Sequence, residues 1–261
     1  MLGVVQGLTE FLPVSSTAHL ILARAFFGFD GDKFGLSFDV ALHVGTLLAL
    51  LVYFRTEVFR MIEAVPRLMR PREDQWAWMI WLLVVGTIPA GIVGLLFNRI
   101  IEEELRTVPV IIVTLAVVGL GLFWAERAGD QSRSERTLTL ADAVWIGCAQ
   151  ALALIPGVSR SGATLIAALL LGLRRKDAAE FIFLLSIPAI LAAAVGEAPT
   201  MLRGGEAGGE AALLAAGIVA SAIVGYFAVK YFIRYVATHS LDVFAWYRLA
   251  LAGAALVWML R

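Results

Sequence analysis

The chain has 261 residues, of which 60% are hydrophobic and only 16% are charged, and its mean hydropathy is +0.85. A soluble globular domain carries about 25% charged residues, so this composition excludes a water-soluble body and indicates that lipid surrounds much of the chain. The 21 basic and 21 acidic residues cancel, which gives no support for nucleic-acid binding. Cys148 is the only cysteine, so an internal disulfide and a cysteine-based metal site are both excluded.

The first apolar stretch begins almost at Met1, and the charged, apolar and cleavage regions of a signal peptide are not found there. This abrupt start predicts a few further helical residues upstream. The stretch covers residues 2–28 and is interrupted at 13–17, which reads PVSST.

A second apolar stretch, residues 141–173, is interrupted in a similar way at 156–162, which reads PGVSRSG. Irregular backbone at membrane depth persists only where protein buries it or where it lines a wet cavity. We therefore interpret both stretches as re-entrant helix–loop–helix hairpins, each of which enters and leaves on the same side of the membrane. Uninterrupted apolar runs predict six transmembrane helices, at 37–54, 76–97, 108–125, 178–195, 211–234 and 243–260.

The distribution of basic residues then predicts the orientation. With both hairpins re-entrant, the connections at 55–75, 126–140, 174–176 and 230–242 fall on one side and carry thirteen Lys and Arg residues, against six on the other side. The positive-inside rule places the richer side in the cytoplasm. The first hairpin therefore opens outward and the second opens to the cytoplasm.

The two hairpins also resemble each other. Gln6 precedes the first proline break as Gln150 precedes the second, with one residue of slippage. Each half has two glycines eight residues apart, Gly86 with Gly94 and Gly217 with Gly225. We expect an all-α integral membrane protein with a single domain over 1–261 and halves at approximately 1–126 and 140–261. Each half has one re-entrant hairpin and three spans. Because three is an odd number, the second half starts on the opposite side of the membrane and is inverted relative to the first.

The first hairpin carries polar and ionisable side chains within apolar sequence. Gln6 and Glu10 are four residues apart and share one helix face, and a glutamate within lipid needs a partner or a wet cavity. Ser16 and His19 are three residues apart, which places the imidazole beside the hydroxyl on the second half-helix. A hydroxyl next to a base is the minimum arrangement for nucleophilic catalysis.

The second hairpin adds Arg160 between Ser159 and Ser161, with Thr164 one turn later. A guanidinium is a planar fork that suits phosphate, hydroxyls supply further donors, and a half-helix N-terminus favours the same anion. One carboxylate, one hydroxyl, one imidazole and one arginine together indicate phosphoryl transfer, with Glu10 available to hold a divalent metal.

Structural interpretations of the same residues stay open. Single serines and threonines in membrane helices often serve packing alone, and Glu10 with Arg160 could form only an ion pair that holds the hairpins together. His19 is ambiguous by itself, and His43 has no partner in the sequence pattern and is interpreted as structural. Three charged residues near span ends are expected to reach the interface by snorkelling: Asp39, Glu180 and Arg248.

Both hairpins resemble the motifs of the undecaprenyl-diphosphatase family, also called the bacitracin-resistance family. The family's first motif, E/Q-x-x-x-E followed by P-V-S-S-T-x-H, is matched by Gln6, Glu10 and the segment 13–19. Its second motif, P-G-x-S-R-S-G-A-T, is matched from Pro156 to Thr164 without a gap. The resemblance extends over essentially the whole chain and includes the six spans and two re-entrant hairpins expected of that family.

The resemblance implies an enzyme that hydrolyses undecaprenyl diphosphate to the monophosphate and so recycles the lipid carrier of cell-wall synthesis, with a link to bacitracin resistance. It implies a multi-pass protein of the bacterial plasma membrane, Mg²⁺ or Ca²⁺ as cofactor, and a site that faces the periplasm or outside. The expected partners are the polyprenyl diphosphate lipid and the bilayer, with no nucleic acid. A homodimer is left open.

Residue roles follow from the same resemblance. Glu10, helped by Gln6, would organise the metal or the water, and Arg160 would hold the diphosphate. Ser16 would be the nucleophile with His19 as its base, or His19 would itself be the nucleophile, and the sequence does not decide between these. Further phosphate hydrogen bonds would come from Ser15, Thr17, Ser159, Ser161 and Thr164. Gln6 stands where many relatives have Glu, which removes one anionic metal ligand.

A polyprenyl-phosphate transporter or flippase is the main alternative, because inverted repeats around broken helices are a recurring transporter architecture. Such a protein would use Arg160 to bind an anionic headgroup and would need no nucleophile. A purely structural scaffold is a third interpretation, and it leaves unexplained why Glu, Ser, His and Arg all occupy the polar breaks.

Overall fold

The structure is a computed structural model that describes residues 1–28, 36–203 and 208–260. This part of the chain forms eleven α-helices: α1 (Leu2–Thr9), α2 (Ser16–Phe27), α3 (Leu36–Tyr53), α4 (Arg55–Ala64), α5 (Gln75–Glu103), α6 (Val108–Ala128), α7 (Leu140–Leu152), α8 (Arg160–Leu170), α9 (Arg175–Arg203), α10 (Gly208–Val236) and α11 (Asp242–Met259). Short 3-10 turns lie in the connections at Val65–Arg67, Pro71–Glu73 and Glu135–Thr137. Two basic residues used to predict the orientation, Lys33 and Arg261, lie outside the described residues.

Length and hydropathy explain why several of these helices can cross a bilayer. A helix rises about 1.5 Å per residue, so about 20 apolar residues cover the hydrocarbon core. Five stretches meet this requirement: Gln75–Phe97, Val108–Ala128, Arg175–Gly196, Ala212–Val236 and Asp242–Met259. They coincide with five of the six predicted spans and confirm the prediction of an all-α, multi-pass membrane protein.

The sixth predicted span, at 37–54, is α3, and the chain bends by 79° into α4 directly after it. The two helices together are long and apolar enough for one further span. We predicted 55–75 as a connection and so missed α4. Charged residues such as Arg55, Glu57 and Arg60 alternate with apolar ones in this helix, so it lacks the continuous apolar run by which a span is predicted.

Each interrupted stretch forms two helices that are too short to span. α1 and α2 have 8 and 12 residues, and α7 and α8 have 13 and 11. At about 1.5 Å per residue none exceeds about 20 Å, against about 30 Å of hydrocarbon. The helices are therefore broken where the polar segments predicted a break, and the re-entrant path remains a prediction.

A serine begins the second helix of each hairpin in the same way. Ser15 and Ser159 have φ angles of 73° and 74°, in the left-handed region that residues other than glycine rarely adopt. Ser15 Oγ accepts a hydrogen bond from Ala18 N at 3.3 Å, and Ser159 Oγ accepts one from Gly162 N at 3.1 Å. Each hydroxyl thus caps a helix whose first N–H groups have no partner within the helix. Ser16 and Arg160 consequently occupy the same position, the first residue of a half-helix.

The half-helices pack against long helices from the other half of the chain. α1 lies on α10, and α7 lies on α5, while α3 packs on α9 and α6 on α11. Glycines make the first two contacts close, because a Cβ on Gly3 would overlap the backbone of Gly217 and a Cβ on Gly147 would overlap the backbone of Gly86. This packing brings the loop of the first hairpin against the start of α8.

Candidate active site

Glu10 caps the end of α1 and is the centre of a buried polar cluster. Its Oε2 accepts hydrogen bonds from Gln6 Nε2 at 3.0 Å and from Ser16 Oγ at 2.5 Å. The contact with Gln6 joins the two residues that the four-residue spacing placed on one helix face. These donors replace the water that a carboxylate loses when it is buried.

Arg160 is the first residue of α8 and forms an ion pair with Glu10 Oε1. Ser161 Oγ reinforces this junction by donating to the Leu12 carbonyl at 2.9 Å. The ion pair considered in the sequence analysis therefore exists, and it joins the two hairpins. Within the described residues Arg160 makes this single side-chain hydrogen bond, so most of its five N–H donors are left for an anion.

Ser16 and His19 both lie on α2, but they do not form the expected pair. Ser16 Oγ donates to Glu10. His19 Nδ1 lies 2.7 Å from the Ser15 carbonyl oxygen, and Nε2 lies 2.7 Å from the Tyr247 hydroxyl. The spacing permits a contact between hydroxyl and imidazole, but the ring turns back along its own helix, whereas Ser16 faces the end of α1. The catalytic roles of both residues remain predictions.

The other predicted phosphate-binding hydroxyls all lie in the two hairpins, and most of them bind protein atoms. Ser15 and Ser159 cap α2 and α8, and Ser159 Oγ also lies 3.1 Å from Ser161 Oγ. Thr164 Oγ1 donates to a backbone carbonyl of its own helix at 2.7 Å. Thr17 is half-buried and has no hydrogen bond to the described part of the chain. Thr17 is therefore the hydroxyl among them whose binding to phosphate would break no existing contact.

His43 on α3 is a member of the cluster that the sequence did not reveal. Its Nε2 lies 3.4 Å from Glu10 Oε2, and its Nδ1 lies 2.7 Å from the Asp39 carbonyl oxygen. The structure thus gives His43 a partner that was not visible in the sequence, and its role stays a prediction. Its partner lies on another helix, so no local spacing could have indicated the contact.

Arg248 on α11 is fully buried, with 0% of its surface exposed, so the snorkelling interpretation is wrong for this residue. Its guanidinium donates to five backbone carbonyls at 2.7–3.2 Å, those of Pro13, Thr114, Leu115, Gly157 and Val158. Three of these carbonyls belong to the two hairpin loops. Arg248 therefore holds both loops against α6 and α11.

Asp39 is also buried, and it pairs with Arg24 and with Arg106 at 3.0 Å. Snorkelling is wrong for Asp39 as well, because two arginines neutralise it within the protein. Glu180 is partly exposed and lies 3.6 Å from Lys176 one turn earlier on α9. The Asp39 pairs tie α2 and the connection before α6 to the helix that carries His43.

Two side chains of the cluster, Gln6 and Glu10, have oxygen atoms that fit a divalent cation. Gln6 Oε1 is buried and has no hydrogen-bond partner within the described residues, and the same side chain contacts Glu10 through Nε2. Carboxylate and amide oxygens are the ligands that Mg²⁺ and Ca²⁺ take, and Mg²⁺ usually keeps several waters and substrate phosphates as its other ligands. The described residues contain no group of three or more His, Cys, Asp or Glu side chains able to hold a metal. Glu10 and Gln6 would thus supply a partial site that a phosphate completes.

The broken helices and this cluster define a polytopic helical membrane protein with a candidate phosphoryl-transfer site between two hairpin loops. The site offers a hydroxyl bound to a carboxylate, an arginine with donors to spare, and an imidazole on the same half-helix as the hydroxyl. Each of these groups suits chemistry on a phosphate ester or anhydride.

The chain belongs to the bacitracin resistance protein BacA family, whose model matches residues 1–254. Curated relatives cover nearly the whole chain. An undecaprenyl-diphosphatase of Rubrobacter xylanophilus is 48% identical over 97% of this chain and 94% of its own length. One from Gemmatimonas aurantiaca is 47% identical over 96% and 93%, and undecaprenyl-diphosphatase 2 of Stutzerimonas stutzeri is 46% identical over 98% and 96%. The family resemblance predicted from the two hairpin motifs is confirmed, and the transporter alternative is not favoured.

Proposed function

We propose that this chain hydrolyses undecaprenyl diphosphate to undecaprenyl phosphate and inorganic phosphate, and so recycles the lipid carrier for cell-wall synthesis. The observation that carries the proposal is the convergence of both hairpins on one carboxylate. Glu10 accepts from Ser16 at 2.5 Å and pairs with Arg160 across 150 positions of the chain. The names of the relatives support the same reaction.

Ser16 is the proposed nucleophile. Its Oγ forms a bond to the terminal phosphorus while its proton passes to Glu10 Oε2, the atom to which it already donates. The bond between that phosphorus and the bridging oxygen breaks, and undecaprenyl phosphate leaves. Water then attacks the phosphoserine, inorganic phosphate is released, and Ser16 regains a proton. His19 remains the alternative in two roles, both through Nε2: it would accept the Ser16 proton as base, or it would itself be the nucleophile.

Arg160 is proposed to hold the diphosphate. Its ion pair with Glu10 and the phosphate both require guanidinium N–H groups, so we expect Nη2 to move from Glu10 Oε1 to a phosphate oxygen when the substrate binds. The N-terminus of α8 adds a favourable field for the same anion. Ser15, Thr17, Ser159, Ser161 and Thr164 are proposed to add hydrogen bonds, with Thr17 best placed because its hydroxyl is bound to none of the described residues.

A divalent cation, Mg²⁺ or Ca²⁺, is proposed as cofactor, with Glu10 and Gln6 as its protein ligands. When bound, the cation would neutralise charge on the phosphates. Movement of Arg160 would free Glu10 Oε1 for this purpose, and Gln6 Oε1 is the buried acceptor that lacks a hydrogen-bond partner within the described residues.

The finer topology is part of the proposal. We place the chain in the bacterial plasma membrane as an inverted repeat with two re-entrant hairpins and a site that faces the periplasm or outside, and the homodimer stays an open prediction. The equivalent serine caps at Ser15 and Ser159 support the repeat. So does the packing of a half-helix from each half on a long helix of the other half, α1 on α10 and α7 on α5. The excess of basic residues on one side supports the orientation.

Phosphate release from undecaprenyl diphosphate by purified protein in detergent tests the reaction. We expect release that EDTA abolishes and that added Mg²⁺ or Ca²⁺ restores. Arg160→Ala should reduce the rate by about 10²–10³-fold, the effect of removing one charge-stabilising donor. The matched control is Arg99→Ala, because the Arg99 side chain is 86% exposed and pairs only with the neighbouring Glu103 within the described residues.

Each arm of this experiment has its own meaning. Folded wild-type protein that releases no phosphate with metal present would overturn the hydrolase proposal. Release that persists undiminished in EDTA would overturn the metal proposal and leave hydrolysis standing. Equal rates for Arg160→Ala and Arg99→Ala would remove Arg160 from the site.

A further inference from the structure

His19 has a fixed hydrogen-bonding pattern. Nδ1 faces the Ser15 carbonyl oxygen at 2.7 Å, and a carbonyl can only accept, so Nδ1 carries a proton. In the neutral ring the lone pair then lies on Nε2, which faces the Tyr247 hydroxyl at 2.7 Å. The tyrosine therefore donates to the one ring nitrogen that could act as a base or a nucleophile.

The two rings are also nearly parallel. Their planes are inclined by only 6°, and their centroids are 5.7 Å apart. Because the Tyr247 oxygen lies only 2.7 Å from Nε2, the planes are too close for the rings to overlap face to face, and the rings lie side by side. The hydroxyl therefore meets Nε2 close to the plane of the imidazole, where the lone pair lies. The orientation of His19 is thus set by this hydrogen bond together with the one from Nδ1 to the Ser15 carbonyl.

The position of Tyr247 is itself well determined. Arg248, the next residue, binds five carbonyls and fixes the rotation of α11 at this point. Tyr247 is 46% exposed, so its ring borders the surface of the helical bundle. A tyrosine at a membrane surface commonly directs its hydroxyl toward the polar interface. Here the hydroxyl points inward to His19, which indicates a role within the site.

We propose that Tyr247 is a positioning residue for His19: in the free protein its hydroxyl holds the ring in one tautomer and one plane, and it gives up Nε2 to the substrate on binding. The inference rests on the proposed function, and it holds whether His19 acts as a base or as the nucleophile, because Nε2 is the reactive nitrogen in both. The hairpin motifs do not include Tyr247, which lies on the last helix of the chain.

Tyr247→Phe tests the proposal, because it removes the hydroxyl and keeps the aromatic ring. We expect kcat to fall about tenfold, the effect of one hydrogen bond, with KM within about twofold of the wild-type value. Tyr235→Phe is the matched control: Tyr235 stacks on His239 at 4.5 Å and 12°, outside the cluster, and this variant should keep full activity. In a His19→Ala background Tyr247→Phe should have no further effect, because a positioning residue acts through its partner.

Modification of histidines by diethyl pyrocarbonate gives a readout that does not depend on activity. The reagent attacks an unprotonated ring nitrogen, so loss of the Tyr247 hydroxyl should accelerate modification of His19 about tenfold. His43 and His239, the other two histidines, are internal references whose rates should not change. An unchanged or raised kcat in Tyr247→Phe, or an unchanged His19 modification rate, would overturn the proposal. Absence of phosphate release by the wild type would instead overturn the proposed function, and the modification rates would still decide the role of Tyr247.

Discussion

His43 Nε2 lies 3.4 Å from Glu10 Oε2, while His43 Nδ1 donates to the Asp39 carbonyl at 2.7 Å. Nδ1 already carries a proton, so a hydrogen bond between Nε2 and Glu10 Oε2 requires a second proton, on the ring nitrogen or on the carboxylate. The two groups stabilise each other only when this shared proton is present. Glu10 Oε2 is then held from three sides, by Gln6, Ser16 and His43. This fixes the carboxylate oxygen that faces the Ser16 hydroxyl.

Replacement of His43 should therefore reduce turnover. We expect His43→Ala to lower kcat about 10–100-fold, the range seen when a group that orients a catalytic ligand is removed. His43→Gln keeps an N–H donor and should recover part of the loss. His239→Ala is the control, since His239 is exposed and contacts Tyr235 and Thr238. Steady-state phosphate release compares the four proteins, and equal kcat values for His43→Ala and wild type would contradict the prediction.

The identity of the nucleophile can be read from the covalent intermediate. With substrate that carries radioactive phosphorus in its terminal phosphate, acid quenching should trap label that is stable to acid and maps to Ser16. Ser16→Ala should lose the label and about 10²–10⁴-fold of the activity, the range for removal of a group that takes part in proton transfer. Ser186→Ala, a buried serine on α9 that bonds a carbonyl of its own helix, should retain both. Acid-labile label on His19 would assign the nucleophile to the imidazole instead.

Gly147→Ala should destabilise the fold. A Cβ at this position would overlap the Gly86 carbonyl, so α7 and α5 would have to separate, at a cost of about 1–3 kcal/mol for overpacking. Gly91→Ala is the matched control on α5, because a Cβ there meets nothing within 4 Å and alanine favours the helix. Thermal unfolding in detergent should show a lower Tm for Gly147→Ala and an equal or higher Tm for Gly91→Ala. The reverse order would contradict the close packing of the hairpin.

Glu135, in the connection before α7, should make stability depend on pH. Burial first, and then the hydrogen bond and repulsion of the neighbouring Asp177 carboxyl group, raise the pKa of Glu135 to about 7. The folded protein therefore holds the Glu135 proton more tightly than the unfolded chain. The stabilisation is full below the ordinary value of 4.5 and is lost as pH rises through about 7.

Glu135→Gln tests this dependence, because the amide cannot ionise and can still donate to Asp177. Its Tm should exceed that of the wild type at about pH 8, with a smaller difference at about pH 5. Glu73→Gln, whose side chain is 70% exposed and pairs with Arg70 at 3.8 Å, is the control and should change neither value. A constant difference between Glu135→Gln and wild type at both pH values would contradict the raised pKa.

The bundle of helices was predictable because hydropathy acts over continuous segments. Each of the five long apolar helices has a sequence run within the range of about 17–25 residues that a span needs, and the serine and proline segments predicted the breaks that follow α1 and α7. α4 was missed because an amphipathic helix has no such run. The positive φ angles of Ser15 and Ser159 were not predictable either, since a serine in a loop adopts many conformations.

The site was predictable only where its residues are neighbours in sequence. Glu10, Ser16 and Arg160 lie in compact motifs, and their meeting in one cluster followed from the two hairpins. His43, Tyr247 and Arg248 come from long helices in which nothing local distinguishes a functional residue from a structural one. The partner of Ser16 could not be predicted either, because helical spacing permitted His19 and the fold of the loop placed Glu10 at the hydroxyl.

The ion pair between Glu10 and Arg160 has a consequence for biosynthesis. The two residues are 150 positions apart, so at about 5–20 residues per second Glu10 leaves the ribosome about 8–30 s before Arg160. Until then the partners available to Glu10 in the first half are Gln6, Ser16 and His43. The ion pair forms only after the second hairpin has been made, so the polar cluster begun by the amino-terminal half is completed by the carboxy-terminal half.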